Sequence, residues 1–266
     1  VSMDMKVSLV PKKQKYFYIL FFLSMVLLYA FSLFQLKLSY GSGFESVRKA
    51  FGFILRMFHF NFTDWQDILY AALESLSGAV LATIISAILA FLISFLAATN
   101  VSAKGLPIFI KGLCASIRAV PTLVWALIFV AYIGLGPFAG VLGLCFHSFA
   151  YLVKAFSQSI EEVNAGSLEA MKATGASWLQ TMARGVVPTI KTSIISWTAL
   201  RFEINIAQSS ILGLVGAGGI GHELSLYMRM FDFEKAGFVL MVILFMSFSV
   251  EMIFNKLKIN VDINKF

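Results

Sequence analysis

The chain has 266 residues, of which 59% are hydrophobic and only 13% charged, with a mean hydropathy of +0.85 and a formal charge of +7. Soluble domains carry about a quarter charged residues, so this composition excludes an ordinary water-soluble fold and points to a bilayer. The positive balance does not make a nucleic-acid surface, because lysine and arginine are scattered through short polar segments and not gathered on one face.

A basic segment, 1–15, precedes the first apolar run at 16–36. The pair could pass for a secretory signal, but no clear small-residue cleavage site follows, so a retained anchor is expected. Residues 37–71 read as an outer loop with short helices. Further apolar runs lie at 72–97, 106–133, 138–156, 190–212 and 236–254, with a polar tail at 258–266. Crossing a hydrocarbon core takes about 20 apolar residues, and these runs are too long and too uniform to be barrel strands. An all-α integral membrane protein with six transmembrane helices is expected, kinked at Pro121 in the third span.

Positive residues set the orientation. Lys6, Lys12, Lys13, Lys15, Lys104, Lys111, Lys154, Lys172, Arg184, Lys191, Lys256, Lys258 and Lys265 fall on one side of the predicted topology. Lys37, Arg48, Lys49, Arg56, Arg229 and Lys235 fall on the other. Both termini are therefore expected inside. Cys114 and Cys145 lie in apolar segments and read as packing residues, while His59, His147 and His222 are scattered, so no metal site is predicted.

The longest polar stretch between spans, 157–189, reads as two short helices with a break at Gly175. The first is expected near 161–173 from Glu161, Glu162, Glu169, Ala170, Met171 and Lys172. Glycine can end it in the left-handed conformation, and Ser177 with Gln180 fits a capping box for the second helix. Pro188 marks the start of span five. Composition alone leaves open an ordinary interfacial hairpin.

Span five carries Arg201, Glu203, Asn205, Gln208 and Ser209. Intramembrane charges face protein or a water-filled path. At helical spacing Thr198, Arg201, Asn205 and Gln208, with Ser209 beside them, form one stripe, and Glu203 points elsewhere. Either the stripe lines a translocation path and offers a guanidinium to an anion, or Arg201 pairs with an acid from another span or subunit. Arg118, just before Pro121, has the same two readings, with snorkelling to the inner interface also open.

After span five, Gly216, Gly218 and Gly221 satisfy the G-x-G-x-x-G pattern, but no strand precedes it and no βαβ unit surrounds it, so dinucleotide binding is rejected. The glycines read as a flexible or closely packed turn suited to an outer gate. No G-x-x-x-x-G-K-[ST] phosphate loop occurs, so the chain has no ATPase motif of its own and is not read as an enzyme.

Glu169-Ala170-Met171, Gly175 six positions after the glutamate, and Val187-Pro188 resemble the EAA loop of ABC-importer permeases: EAA, three residues, G, nine residues, I, any residue, LP. Met171 replaces the second alanine, Gly185 stands where isoleucine is usual, and Val187 replaces leucine. Over about 70–257 the runs Arg118 to Leu127, Gly134 to Leu142, and Leu200 to Asn205 leading into Gly213 to Gly221 look like phosphonate-type permeases. Methionine-type permeases are the nearest competitor, and an ion-coupled secondary transporter is the alternative from another class.

The resemblance implies a type I ABC importer (MetI-like) permease fold in a bacterial cytoplasmic membrane. It implies a second copy of the permease, two cytoplasmic ATP-binding subunits that hold ATP and Mg, and a periplasmic or lipid-anchored binding protein. The cargo would be a phosphonate, phosphite or phosphate. No cofactor is expected in this chain, and lipid but no nucleic acid is expected as a partner. By the same resemblance Glu169, Ala170, Met171, Gly175, Ala176, Ser177 and Pro188 would couple the membrane helices to the ATPases. Arg201, Asn205, Gln208, Ser209, Glu203 and Arg118 would belong to the path, and Gly216, Gly218, Gly219 and Gly221 to the outer gate.

Overall fold

The computed structural model describes residues 12–35 and 40–263; the expectations for the first eleven residues, for Lys37 and for Lys265 lie outside them. The described residues are helical throughout their regular elements, and they divide into two units, 1–55 and 56–266. In the first, α1 (Lys12–Gln35) is apolar on all sides, and no side chain from 14 to 32 is buried. The helix α2 (Tyr40–Met57) is amphipathic: Val47, Phe51 and Ile54 make an apolar stripe, and Glu45 bonds Lys49 one turn on, at 2.8 Å.

The second unit is built around α3 (Trp65–Ala97), α6 (Pro137–Glu161) and α9 (Val187–Leu212). Its polarity is inverted relative to a soluble protein. Leu92, Ile108, Leu244 and Phe245 are exposed, whereas Ser75, Thr83, Ser86, Asn205 and Arg201 are buried. That is the arrangement a surrounding hydrocarbon demands. Along the middle of α3 the buried Ser75, Ala79, Ala82, Ser86 and Ala90 are uniformly small, which lets α6 pack closely there, while Ile68, Ala71 and Ala72 pack against α10 and α11. The buried hydroxyls are satisfied locally: Thr83 donates to the Ala79 carbonyl and Ser86 to those of Ala82 and Cys145.

The third apolar run is not one kinked helix. It is two, α4 (Leu106–Ala119) and α5 (Thr122–Ile133), bent by 83°. Val120 and Pro121 are extended, because proline has no N–H for the helix ladder and disfavours helical geometry in the residue before it. One carbonyl released by the break, that of Ile117, accepts the Trp125 indole N–H at 3.0 Å. Cys114 is buried and Cys145 half-buried, both against apolar neighbours.

Between α6 and α9 lie α7 (Ala165–Ala173), α8 (Trp178–Thr181) and one wide π turn, Met182–Val186. After α9, a 3₁₀ turn and the glycine run lead to α10 (Ile220–Arg229), bent by 43° from the preceding helical stretch, and then to α11 (Phe233–Ile263). Among the described residues four single helices are long and apolar enough to cross a membrane, and six spans result if each bent pair counts as one.

Candidate functional site

The helix ends in the loop between α6 and α9 are capped by near neighbours in sequence, and the loop is anchored by more distant ones. Its first helix starts at Ala165, not near 161, because Asn164 breaks from helical geometry and caps α7 by accepting from the Gly166 N–H. Glu161 is instead the last residue of α6. One of its carboxylate oxygens accepts from the Thr99 amide, the Thr99 hydroxyl and Lys111, each at 2.7 Å. These bonds tie the α3–α4 connection to the base of the loop.

Gly175 has φ +79°, and α7 closes in a full Schellman arrangement: the Ala176 N–H reaches the Met171 carbonyl and the Gly175 N–H that of Lys172. Ser177 and Gln180 form the reciprocal capping box. Pro188 is the second residue of α9, and its ring would collide with the carbonyl of Arg184 in a regular helix. The π turn immediately before it, where the Val187 N–H bonds the Met182 carbonyl, relieves that conflict.

Leu168, Met182 and Val186 anchor the loop in a cluster with Phe95, Ile160 and Ile190. Trp178 donates to the Val101 carbonyl at 2.8 Å. Glu169, Ala170, Gly175 and Ser177 are left exposed, with Met171 and Ala176 half-buried. A β-carbon at Gly185 would lie 2.3 Å from the Met171 sulfur. Two of the three departures from the EAA pattern therefore touch: a larger residue at 171 fills the space that a smaller one at 185 vacates.

The second constellation is buried between α3, α6 and α9. Arg201 is 2% exposed, with Nε donating to Ser148 Oγ at 2.8 Å and Nη2 to Gln208 Oε1 at 3.2 Å and His147 Nδ1 at 3.1 Å. Ser148 donates on to Asn205 Oδ1, and the Asn205 amide to Thr83 Oγ1. This relay joins three helices, so Asn205 serves the packing of the bundle while Gln208 holds the guanidinium.

Within this chain, every hydrogen-bond acceptor of Arg201 among the described residues is neutral, so no other span supplies an acid to it there. Its guanidinium and that of Arg118 each lie 5.4 Å from the centre of the Tyr151 ring. Glu203 is half-buried and takes no part, Ser209 bonds its own helix at Ile206, and Thr198 bonds that of Ile194. His147, Ser148 and Tyr151 were missed by the sequence reading. Their signal was the polar repeat His147, Tyr151, Lys154 at helical spacing in an otherwise apolar run.

At the opposite end of α9 the glycine turn is closely packed, not flexible. Gly216, Gly218 and Gly219 all have positive φ, and the Gly216 carbonyl accepts the Gly136 N–H at 2.9 Å. A β-carbon at Gly221 would sit 1.9 Å from the Ser210 carbonyl oxygen. Beside this turn is a cavity of about 20 Å³ lined by Glu74, Ser75, Ser209 and Gly218, large enough for one water molecule. Glu74, also unforeseen, brings a carboxylate to this wall. Among the described residues no three His, Cys, Asp or Glu side chains converge on a metal position.

Residues 90–255 match the family described as the inner membrane component of binding-protein-dependent transport systems. The chain belongs to that family. A phosphite transport system permease protein from Stutzerimonas stutzeri is 32% identical over 187 residues, 70% of this chain and 68% of the relative. A phosphate-import permease protein from Mycolicibacterium smegmatis is 33% identical over 186 residues, 70% of this chain but 35% of that longer protein. Among solved structures, the inward-facing MetNI methionine ABC transporter aligns with 73% of this chain and 95% of its own at a TM-score of 0.64 and 14% identity. That likeness shows the fold alone, the all-α permease fold of the MetI type. As a family member the chain is a membrane permease subunit of an ABC importer, and its family works with a substrate-binding protein.

Proposed function

We propose that this permease carries a phosphonate or a related phosphorus oxyanion, phosphite or phosphate, by alternating access driven by a separate ATPase. The observation that carries this reading is the identity of 32–33% over 70% of the chain to permeases named for phosphite and phosphate transport. A buried arginine with only neutral acceptors supports it, since an oxyanion is the charge such a site lacks. Arg201, with Gln208 and Asn205 on its stripe, Ser209 and Arg118, is assigned to the path; Glu203, off that face, is the weakest member of the set.

The exposed edge of α7 and α8, with Glu169, Ala170, Met171, Gly175, Ala176 and Ser177, is the docking surface for the ATPase, and Pro188 transmits its movement into α9. Two copies of the chain, two ATP-binding subunits holding ATP and Mg, and a periplasmic or lipid-anchored binding protein make the working assembly. It sits in the lipid of a bacterial cytoplasmic membrane with both termini inside. The turn at Gly216, Gly218, Gly219 and Gly221 closes the outer side.

The test is reconstitution of the permease with its ATPase and binding protein in proteoliposomes, supplied with methylphosphonate, phosphite, phosphate or methionine. Phosphorus oxyanions should stimulate ATP hydrolysis and accumulate inside. Stimulation by methionine alone would overturn the substrate assignment.

A further inference from the structure

Three observations meet at one depth in the bundle. Measured along the helices from the face that carries the α6–α9 loop, Tyr151 lies ~15 Å in from Glu161, Arg118 ~18 Å in from Leu106 and Arg201 ~21 Å in from Val187, at 1.5 Å per residue. In a core of about 30 Å the Tyr151 and Arg201 distances fall near the midplane, and Arg118 is brought to the same level by its contact with the Tyr151 ring. The break at Val120–Pro121 falls beside Arg118, so α5 begins at Thr122 with its unpaired amides at the same level. A discontinuous helix at mid-depth is a recurrent way to present backbone dipoles to a transported ion.

The donors left over there are countable. Arginine cannot accept a hydrogen bond, so His147 Nδ1 must accept from Arg201. The imidazole proton then resides on Nε2. Neither that nitrogen nor Arg201 Nη1 has a hydrogen-bond partner among the described residues, and Arg118 has no carboxylate partner there. Both guanidiniums lie 5.4 Å from the Tyr151 ring centre, so they are at most twice that distance apart. Two fixed positive charges, one neutral imidazole donor and no acid surround one aromatic ring.

We infer that Arg118, Arg201, His147 and Tyr151 form a way-station for a doubly charged oxyanion, in which both guanidiniums and the imidazole N–H take up its oxygens while Tyr151 holds the two cations in place. This rests on the oxyanion reading above and deepens it. Arg201 is pre-aimed by Ser148 and Gln208. Arg118 is held against the same ring. The station belongs to the inside of the membrane path and is separate from the selection made by the binding protein.

The complete transporter in proteoliposomes, carrying whichever of methylphosphonate, phosphite and phosphate the wild type imports fastest, tests it. The readouts are maximal uptake rate and ATP hydrolysed per anion imported, at saturating loaded binding protein. Arg118→Gln should lower uptake about tenfold or more, the scale of one charge-assisted hydrogen bond, while stimulated ATPase stays within about twofold, so that hydrolysis runs unproductively. His147→Leu should behave in the same way and His147→Gln, which retains an N–H donor and an acceptor, should recover most of the loss. Tyr151→Leu, which removes the ring against which both guanidiniums lie, should resemble Arg118→Gln.

Wild-type stoichiometry in Arg118→Gln and His147→Leu would overturn the inference. So would loss of stimulated ATPase in Arg118→Gln with recovery in Arg118→Met, which would mark the side chain as packing. If the wild type hydrolyses ATP but imports none of the three anions, the substrate assignment itself fails, an outcome distinct from either.

Discussion

The α7–α8 loop and the Arg201 cluster are both polar structures in an apolar protein, yet their polar groups are satisfied over different distances along the chain. In the loop, Asn164 caps Gly166, Ala176 bonds Met171, and Ser177 exchanges bonds with Gln180, all within five residues, and the Trp178 bond to Val101 is the long-range tie. In the cluster, Arg201 bonds Ser148 and His147, and Asn205 bonds Thr83, across 53, 54 and 122 positions. A locally satisfied structure can project from the membrane as a unit and bear against another subunit. A distantly satisfied one exists only when three helices are docked, so any movement of α9 must also act on the arginine.

The sharpest way to break this comparison is Arg201→Leu. It leaves Ser148, Gln208 and His147 without their donor in the interior, a loss of about 3 kcal/mol or more that should appear as reduced thermal stability of the purified complex together with lost uptake. Next is Gly175→Val, which forces a β-branched residue to φ +79° at a cost of about 1–3 kcal/mol. Because the strain is local, the bundle should melt nearly as the wild type does while ATP hydrolysis and uptake come apart. A variant that still transports normally would remove the loop from its coupling role.

The Met171–Gly185 contact predicts a compensating pair. Gly185→Ala should destabilise by about 1 kcal/mol or less, since the half-buried Met171 thioether can swing aside, and Met171→Ala in the same chain should restore most of it. Additive losses in that double-mutant cycle would show that the two positions vary independently. Ser177→Ala removes one half of the capping box and should cost about 1 kcal/mol, read as faster proteolysis at α8 and not as a shift of the main melting transition.

The smallest effect is expected on the far side of α9. There Asp64 accepts from Lys235 at 2.6 Å and from Tyr227 at 3.0 Å, joining the start of α3 to α10 and α11. The Lys235 and Tyr227 hydrogen bonds hold the Asp64 carboxyl below the usual carboxylate range. A carboxyl with its folded pKa depressed stabilises the protein above its unfolded value and loses that contribution as pH falls through the folded one. Wild-type stability should therefore decline at the acid edge more steeply than that of Asp64→Asn, in thermal melts taken across that range. Equal slopes would deny the ion pair a role in holding α10.

Much of this molecule was legible in the sequence because its rules are local. Six apolar runs, the glycine break, the capping box and the proline at the start of α9 follow from length, propensity and near-neighbour hydrogen bonding. The sequence reading erred where two local tendencies competed. Glu161 and Glu162 favoured a helix running straight into the loop, but Asn164 supplied a cap and a turn. Pro121 indicated a kink, and the structure separates α4 from α5 by 83°, with the Trp125 indole satisfying one released carbonyl.

By itself, the sequence determined that the chain is built of apolar helices of membrane-spanning length and that a capped helical break stands between the fourth and fifth spans. Hydrophobic length and backbone capping are properties of contiguous residues. Only the tertiary structure decided that Arg201 has neutral acceptors alone among the described residues, that Arg118 shares its aromatic ring, that His147 presents Nε2–H, and that the glycine turn is packed tight. Each of those depends on which helix faces which, a choice made by close packing along the small-residue stripe of α3 and invisible in any single span.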